Sequence, residues 1–200
     1  MKLMGFNASP RKNGNTAWII SKILDVAKKN GAETEMFHSA ELDIKPCCGC
    51  LGCKKGGMEC VINDDMQKLY EKIKEADALL LGSPVYMGQM SGQAKIFTDR
   101  LFAHFSPRFS PHFKEGSIQK KKLLLVFDQG NPDIEKFRTY FDYTKEMFQM
   151  LEFDVLDVQV VAGLRAEPAE EKEGLGDALN EVGSSLLSRV LSRMKCDGVQ

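Results

Sequence analysis

The chain lacks most of the features that mark membrane, nucleic-acid-binding and secreted proteins. No apolar run approaches the roughly 18 residues that a spanning helix requires. Lys and Arg number 27 against 28 Asp and Glu, a net charge of −1, so there is no electrostatic case for nucleic acid or an anionic membrane surface. The stretch from Met1 to Ala8 is too short and too soon broken to serve as the apolar core of a secretory signal. No G-x-G-x-x-G stretch is present, so the usual dinucleotide fingerprint is missing. A cytoplasmic, reducing location is the resulting expectation. With 43% hydrophobic and 28% charged residues, the chain is expected to bury one core, as a single soluble domain over residues 1–200.

Cysteine is concentrated instead of absent. Five of the six cysteines fall between Cys47 and Cys60, and Cys47, Cys50, Cys53 and Cys60 read as Cys-x2-Cys-x2-Cys-x6-Cys. Thiolates two residues apart reach one metal centre from a tight loop, and three of them plus a fourth at the loop's end suit a cubane iron–sulfur cluster. Gly49, Gly52, Gly56 and Gly57 let the backbone turn around such a core. A bacterial ferredoxin run ends with x3 and a Pro, whereas here the last gap is longer and Val61 follows. Structural zinc usually draws on two knuckles a dozen or more residues apart. A cluster, a zinc ion and a metal-free loop (residues 45–63) all stay open, while a disulfide framework does not suit cysteines gathered in one place. Cys48 is the spare in the loop, and Cys196 is incidental.

The hydrophobic periodicity predicts strands at 2–7, 33–38, 77–83, 122–128 and 153–161. It predicts helices over about 16–29, from Met66, over about 91–105, from about 133, and a last amphipathic helix over about 169–194. Asp64 or Asp65 is placed to cap the second of these. Alternation of this kind implies an α/β fold with a doubly wound, five-stranded parallel sheet. The first, third and fourth strands are continuously apolar, as central strands are, while the second and fifth are mixed, as edge strands are. That pattern predicts the flavodoxin-like order 2-1-3-4-5. The irregular stretch 106–121 is long enough to be functional or interfacial.

In such a sheet, ligands bind beyond the carboxyl ends of the strands, where the strand order switches. The loop after the first strand carries Ser9, Arg11, Lys12, Asn13, Gly14, Asn15 and Thr16 and runs straight into a helix. Hydroxyls, amides, positive charge and a helix N-terminus together suit a phosphate. The loop after the third strand holds Pro84, Val85, Tyr86, Met87 and Gly88, and the loop after the fourth holds Asp128, Gly130 and Asn131. A flat heteroaromatic ring extending from the phosphate would meet backbone amides on one side and Tyr86 or Met87 on another. FMN fits that description.

These residues resemble a known family. The run Asn7-Ala8-Ser9-Pro10-Arg11-Lys12-Asn13-Gly14-Asn15-Thr16, then Gly82-Ser83-Pro84-Val85-Tyr86, then Lys95-Ile96-Phe97-Thr98-Asp99-Arg100 resemble the NADPH-dependent FMN reductase family of flavodoxin-like proteins. The cysteine loop followed by Val61-Ile62-Asn63-Asp64-Asp65-Met66 resembles its iron–sulfur flavoprotein branch. The resemblance implies that Ser9, Arg11, Asn13, Asn15 and Thr16 hold the FMN phosphate. It also implies that residues 84–88 line the isoalloxazine ring, with Asp128, Gly130 and Asn131 near its pyrimidine side. Cys47, Cys50, Cys53 and Cys60 would hold a [4Fe–4S] cluster. Homodimers or homotetramers are implied as well, with electrons exchanged with NAD(P)H or a redox partner protein such as a ferredoxin.

The expected function is therefore an FMN and iron–sulfur oxidoreductase that passes electrons between cluster and flavin. Two alternatives stand beside it: a cluster-free NAD(P)H-dependent FMN or quinone reductase, and a flavodoxin-type carrier. Carriers tend to be strongly acidic, and the near-neutral charge with Arg11 and Lys12 at the phosphate loop weighs against that one. No side-chain acid or base stands out, and His104 and His112 beside the long loop fit surface or interface roles.

Overall fold

The computed structural model describes residues 1–55, 60–105 and 120–197, with side chains at 104–105 and 194–197 left aside. The expectations for Gly56, Gly57, His104, His112, Cys196 and nearly all of loop 106–121 therefore lie outside what is described. Five parallel strands make up the sheet: β1 (Lys2–Asn7), β2 (Glu33–His38), β3 (Ala78–Tyr86), β5 (Lys121–Asp128) and β6 (Phe153–Val161), in the order β2-β1-β3-β5-β6. This is the expected flavodoxin-like order. A two-residue strand, β4 (Gln89–Met90), pairs antiparallel with the end of β3.

Strand periodicity divides the core into two layers, because successive side chains point to opposite faces. On one face Met4, Phe6, Leu79, Leu81, Leu123, Leu125 and Phe127 meet α3 (Met66–Glu75), α4 (Gly92–Phe105) and α5 (Arg138–Met150). Stacked pairs Phe6–Phe97 (centroids 3.9 Å apart) and Phe127–Phe141 (4.6 Å) close that layer. On the other face Leu3, Leu80, Leu124 and Val126 meet α1 (Asn15–Lys29) and α6 (Leu175–Asp197). The mixed edge strand β6 keeps its acids paired: Asp157 with Arg189 at 2.7 Å and Asp154 with Arg193 at 3.2 Å, both arginines on α6.

Three boundaries differ from the periodicity. β3 continues past Ser83 into a hairpin, because Met87 and Gly88 adopt positive φ (51° and 81°), the combination that a tight two-residue turn needs. The helix expected from about 133 begins at Arg138. Before it, the Asn131 and Asp133 side chains accept the backbone N–H groups of Asp133 (2.9 Å) and Glu135 (3.0 Å), which favours turns over helix. The last helix begins at Leu175 and not near 169, after turns ending at Gly174 with φ 70°.

Gly82 fixes how closely α1 sits on the sheet. A Cβ there would lie 2.4 Å from Ile20 Cδ1 and 2.9 Å from Thr16 Cγ2. Gly82→Ala is expected to push α1 off β3 and to cost about 1–3 kcal/mol by overpacking, as read from the denaturant midpoint at unchanged m-value.

Candidate functional site

The loop between β1 and α1 is shaped by Asn7, which is fully buried at the end of β1. Its Oδ1 accepts the Ser9 backbone N–H at 3.1 Å, and its Nδ2 faces the carbonyls of Arg11 and Lys12 at 3.4 and 3.5 Å and His38 Nδ1 at 3.2 Å. Ser9 is buried, and its hydroxyl accepts the Arg11 N–H at 3.1 Å. The loop enters α1 at Gly14, which offers no capping side chain, and the first turn holds no acid. An uncapped helix N-terminus presents free N–H groups and a positive dipole end. Arg11 and Lys12 add charge beside it, and Lys12 also pairs with Glu41 at 2.5 Å. Asn15 Oδ1 accepts the Ala169 N–H at 3.1 Å, tying the loop to the segment after β6. Asn13 faces a hollow of about 450 Å³ on the β2 side, with Trp18, Met36, His38 and Pro168.

Three further ties join this loop to its neighbours on the rim. The Ala8 N–H donates to Gly82 O at 2.9 Å, and the Ser91 hydroxyl donates to Ala8 O at 2.6 Å. Thr16 Oγ1 donates to Asp128 Oδ1 at 2.5 Å, so the Asp128 carboxyl sits beneath the phosphate-type loop. Burial pushes that carboxyl up to about 6, against the lowering effect of Thr16 and the Arg11 charge.

Beside these ties lies a cavity of about 420 Å³, lined by Val85, Met87, Gly88, Gln129, Gly130, Asn131, Pro132, Phe137 and Arg165. Of the residues expected there, Val85, Met87, Gly88, Gly130 and Asn131 face the cavity. Pro84 lies in register with Asp128 in the sheet, and Tyr86 pairs with Gln89 across the hairpin. Met87 is wholly exposed at the hairpin tip. Tyr140 holds the hairpin, its hydroxyl accepting the Met90 N–H at 3.0 Å. Gln129 is buried; its Nε2 donates to the carbonyls of Asn131 (3.1 Å) and Asp133 (2.7 Å), while its Oε1 has no partner. Exchanging the amide's two ends would set an acceptor against two carbonyls, so the unpartnered atom is the oxygen.

The cysteine loop leaves β2 through the 3₁₀ turn Ser39–Glu41 and contains the single-turn α2 (Gly52–Lys55). Cys47, Cys48 and Cys50 are exposed, and Cys53 and Cys60 are half-buried against the α3–α4–α5 layer. Burial pushes the Cys53 thiol up, and Cys60, Cys47 and Cys50 push it the same way, so the other three candidate ligands lie within electrostatic reach of Cys53. The loop is held by buried polar groups. Arg100 on α4 pairs with Asp64 through Nη1 at 2.5 Å and Nη2 at 3.1 Å, and both side chains are within 1% of complete burial. Burial alone would raise the Asp64 carboxyl, but the Arg100 pair and the N–H groups of Lys45 and Met66 leave it below the ordinary carboxylate value. Asp65 holds the N-cap position of α3 without a side-chain cap hydrogen bond, while Asp64, one residue earlier, accepts the Met66 N–H at 3.0 Å through Oδ1. The buried Lys54 ammonium donates to the carbonyls of Phe102 (2.6 Å) and Ala103 (3.3 Å) near the end of α4. Among the described residues no three His, Cys, Asp or Glu side chains are grouped to hold a single metal ion. The donor set is nonetheless all sulfur at its four motif positions, and thiolates on a four-iron cluster stand further apart than ligands on one ion.

A doubly wound sheet with an uncapped helix N-terminus after β1 and a partly apolar cavity beyond the ends of β3 and β5 has the flavodoxin-like arrangement. The sequence pattern of the NADPH-dependent FMN reductase family matches residues 1–128. The chain belongs to that family. It is 43% identical over 100 residues to an iron–sulfur flavoprotein of Methanocaldococcus jannaschii, covering 50% of this chain and 51% of the relative. It is 41% identical over 100 residues to an iron–sulfur flavoprotein of Methanosarcina thermophila, covering 50% and 52%. The aligned region thus spans about half the length of each relative. The fold also matches an NAD(P)H:quinone oxidoreductase from Methanothermobacter marburgensis, with TM-score 0.72 and 13% identity over 93% of this chain and 96% of that one.

Asn7, Gln129, Phe137 and Arg165 are site residues beyond those expected from the sequence. Asn7 opens the first motif run and Gln129 adjoins Asp128 and Gly130, while Arg165 reaches the rim from beyond β6 and leaves no local signal. The raised Asp128 carboxyl has a pH consequence. An unfolded Asp titrates near 3.9, so between about pH 4 and pH 6 the folded chain binds more protons. This group's contribution to stability therefore falls as pH rises through that window and is flat above it. Asp128→Asn is expected to remove that fall, on the order of 2–3 kcal/mol, in denaturant titrations at pH 4.5 and 7.

Proposed function

We propose that the protein is an FMN-dependent oxidoreductase that passes electrons between a [4Fe–4S] cluster and FMN. The observation that carries the flavin half is the Thr16–Asp128 hydrogen bond, because it joins the phosphate-type loop to the β5 loop that lines the cavity. The uncapped α1 N-terminus, with Arg11, Asn13, Gly14, Asn15 and Thr16 around it, suits the phosphate. The cavity suits a flat ring, with Val85, Met87 and Gly88 on one side and Gly130, Asn131 and Arg165 on another. The unpartnered Gln129 Oε1 beside it is an acceptor for a ring N–H. Arg165 adds positive charge, which favours a ring that gains electrons.

The all-cysteine donor set, the gathering of Cys47, Cys50 and Cys60 about Cys53, and the iron–sulfur flavoprotein relatives support the cluster half. FMN supplies electron exchange singly or in pairs, and a cubane cluster supplies exchange of one at a time. The protein's own part is to hold both groups, exclude water from the cavity with Phe137 and Pro132, and set potentials through hydrogen bonds and charge. No side-chain proton transfer is required. Electrons would come from NAD(P)H or a redox protein such as a ferredoxin, in a homodimer or homotetramer in the cytoplasm. Among the described residues, no helix is long and apolar enough to cross a membrane.

Anaerobic purification followed by absorption spectroscopy and iron, sulfide and zinc analysis tests this reading. Flavin bands, a broad shoulder near ~400 nm and about four irons per chain are expected. Zinc, or flavin with no metal, would leave the plain NAD(P)H-dependent reductase instead. Cys50→Ala is expected to remove the shoulder and the iron while FMN stays bound. Arg11→Gln is expected to weaken FMN binding about tenfold through loss of one charge-assisted contact, with the iron content unchanged.

A further inference from the structure

The end of β2 braces the loop between β1 and α1 at three points. In the β1–β2 pair His38 lies in register with Asn7, and its Nδ1 stands 3.2 Å from Asn7 Nδ2. The Ser39 hydroxyl donates to Ser9 O at 3.1 Å, and Glu41 pairs with Lys12. The first of these contacts reaches the centre of the loop, because Asn7 is fully buried and shapes the turn through the Ser9 N–H.

Donors and acceptors fix the state of that contact. Asn7 Oδ1 accepts the Ser9 N–H at 3.1 Å, so exchanging the two ends of the amide would set two donors against each other. Nδ2 is therefore the atom that faces His38, and an amide nitrogen only donates. His38 Nδ1 must accept, which leaves the ring neutral with its one proton on Nε2. An imidazolium carries N–H at both nitrogens and would meet Asn7 donor to donor. The surroundings also favour the neutral ring. Burial moves the His38 pKa below its ordinary value, with Glu41 opposing the shift and Lys12 adding to it. Glu170, from the segment after β6, lines the same hollow as His38. On that side α1 presents Trp18 and Ser21, which do not titrate, with Lys22 over the Trp18 ring.

We infer that His38 is a positioning residue for FMN: its neutral ring holds Asn7, and through Asn7 the phosphate-type loop, so that protonating His38 loosens the grip on the phosphate. This rests on the flavin reading above, with the phosphate seated at the α1 N-terminus. A proton on Nδ1 takes away the acceptor of the Asn7 amide, and Asn7 must then turn or shift, so that the Ser9 N–H loses its fixed partner. A buried donor without a partner is costly, so the loop relaxes away from the shape that leads into α1. The effect is opposite in sign to that of an imidazolium touching the phosphate, which would tighten binding on acidification.

The test compares FMN with riboflavin, which has the same ring and no phosphate, binding to flavin-free protein kept anaerobic. Affinity is read from quenching of flavin fluorescence at about pH 5 and about pH 7.5, on either side of the histidine range. His38→Asn keeps an acceptor near the Nδ1 position and takes up no proton. It is expected to match the wild type for FMN at the higher pH and to bind FMN about threefold to tenfold more tightly than the wild type at the lower. His38→Phe removes the acceptor and is expected to bind FMN about tenfold more weakly at the higher pH. Riboflavin is expected to bind all three proteins alike, which also reports that the variants are folded. Asp128 and the FMN phosphate titrate in the same range, but they are common to the three proteins and cancel in the comparison. Nitrogen NMR of the wild-type ring is expected to show the Nε2–H tautomer at the higher pH. A wild type that binds FMN at the lower pH as tightly as His38→Asn, or more tightly, overturns the inference and leaves the flavin reading standing. An Nδ1–H tautomer does the same, without need of either variant. Wild-type protein that binds FMN no more tightly than riboflavin at the higher pH overturns the phosphate seat as well.

Discussion

The Asp64–Arg100 pair is the interaction on which the cysteine-loop half of the molecule depends. Two charges taken out of water are costly unless each finds good partners. Here the carboxylate receives both Nη atoms and two backbone N–H groups, and the guanidinium also meets carbonyls from both ends of the loop. Losing one partner leaves an uncompensated buried charge, an effect of about 3–5 kcal/mol. A loop rich in glycine and exposed thiols has little apolar surface of its own to bury. It is therefore pinned by this pair, by Lys54 on the α4 carbonyls and by Gln67 on the Cys60 carbonyl.

The phosphate-type loop is secured on a different principle. Its geometry comes from Asn7, whose buried amide gives a turn the hydrogen bonds that a strand would otherwise provide. That arrangement keeps α1 open at its N-terminus, which a capping Ser or Asp would have closed. The rim is then tightened by Ser91 and Thr16, each reaching an adjacent loop across more than 80 residues of sequence.

Much of this was legible in the sequence where the physics is local. The continuous Leu and Val runs of β3 and β5 and the mixed edges β2 and β6 foretold the strand order, because burial on two faces favours near-continuous apolar runs. The Ser9–Thr16 loop was readable for the same reason, since its residue types act through their immediate neighbours. The hairpin at Met87-Gly88 was missed because a methionine at positive φ has no propensity signal. The late start of α5 was missed because Asn131 and Asp133 compete for the backbone through their side chains. Arg165 and the Asp64–Arg100 pair depend on contacts made only once the sheet is assembled. Arg100 stood in a quoted motif, but nothing along the chain named a partner 36 residues away.

The two-layer core also has a consequence for how such a protein can change over evolutionary time. The helix carrying the phosphate-type loop packs on one face of the sheet with α6, and the cysteine loop is anchored to helices on the other. Rigid strands separate the two sets of side chains, so substitutions in one layer rarely ask for compensation in the other. A lineage can lengthen, shorten or strip the cysteine loop while leaving the loop on α1 intact, and can retune either region on its own. The sheet acts as a partition between two sets of packing contacts.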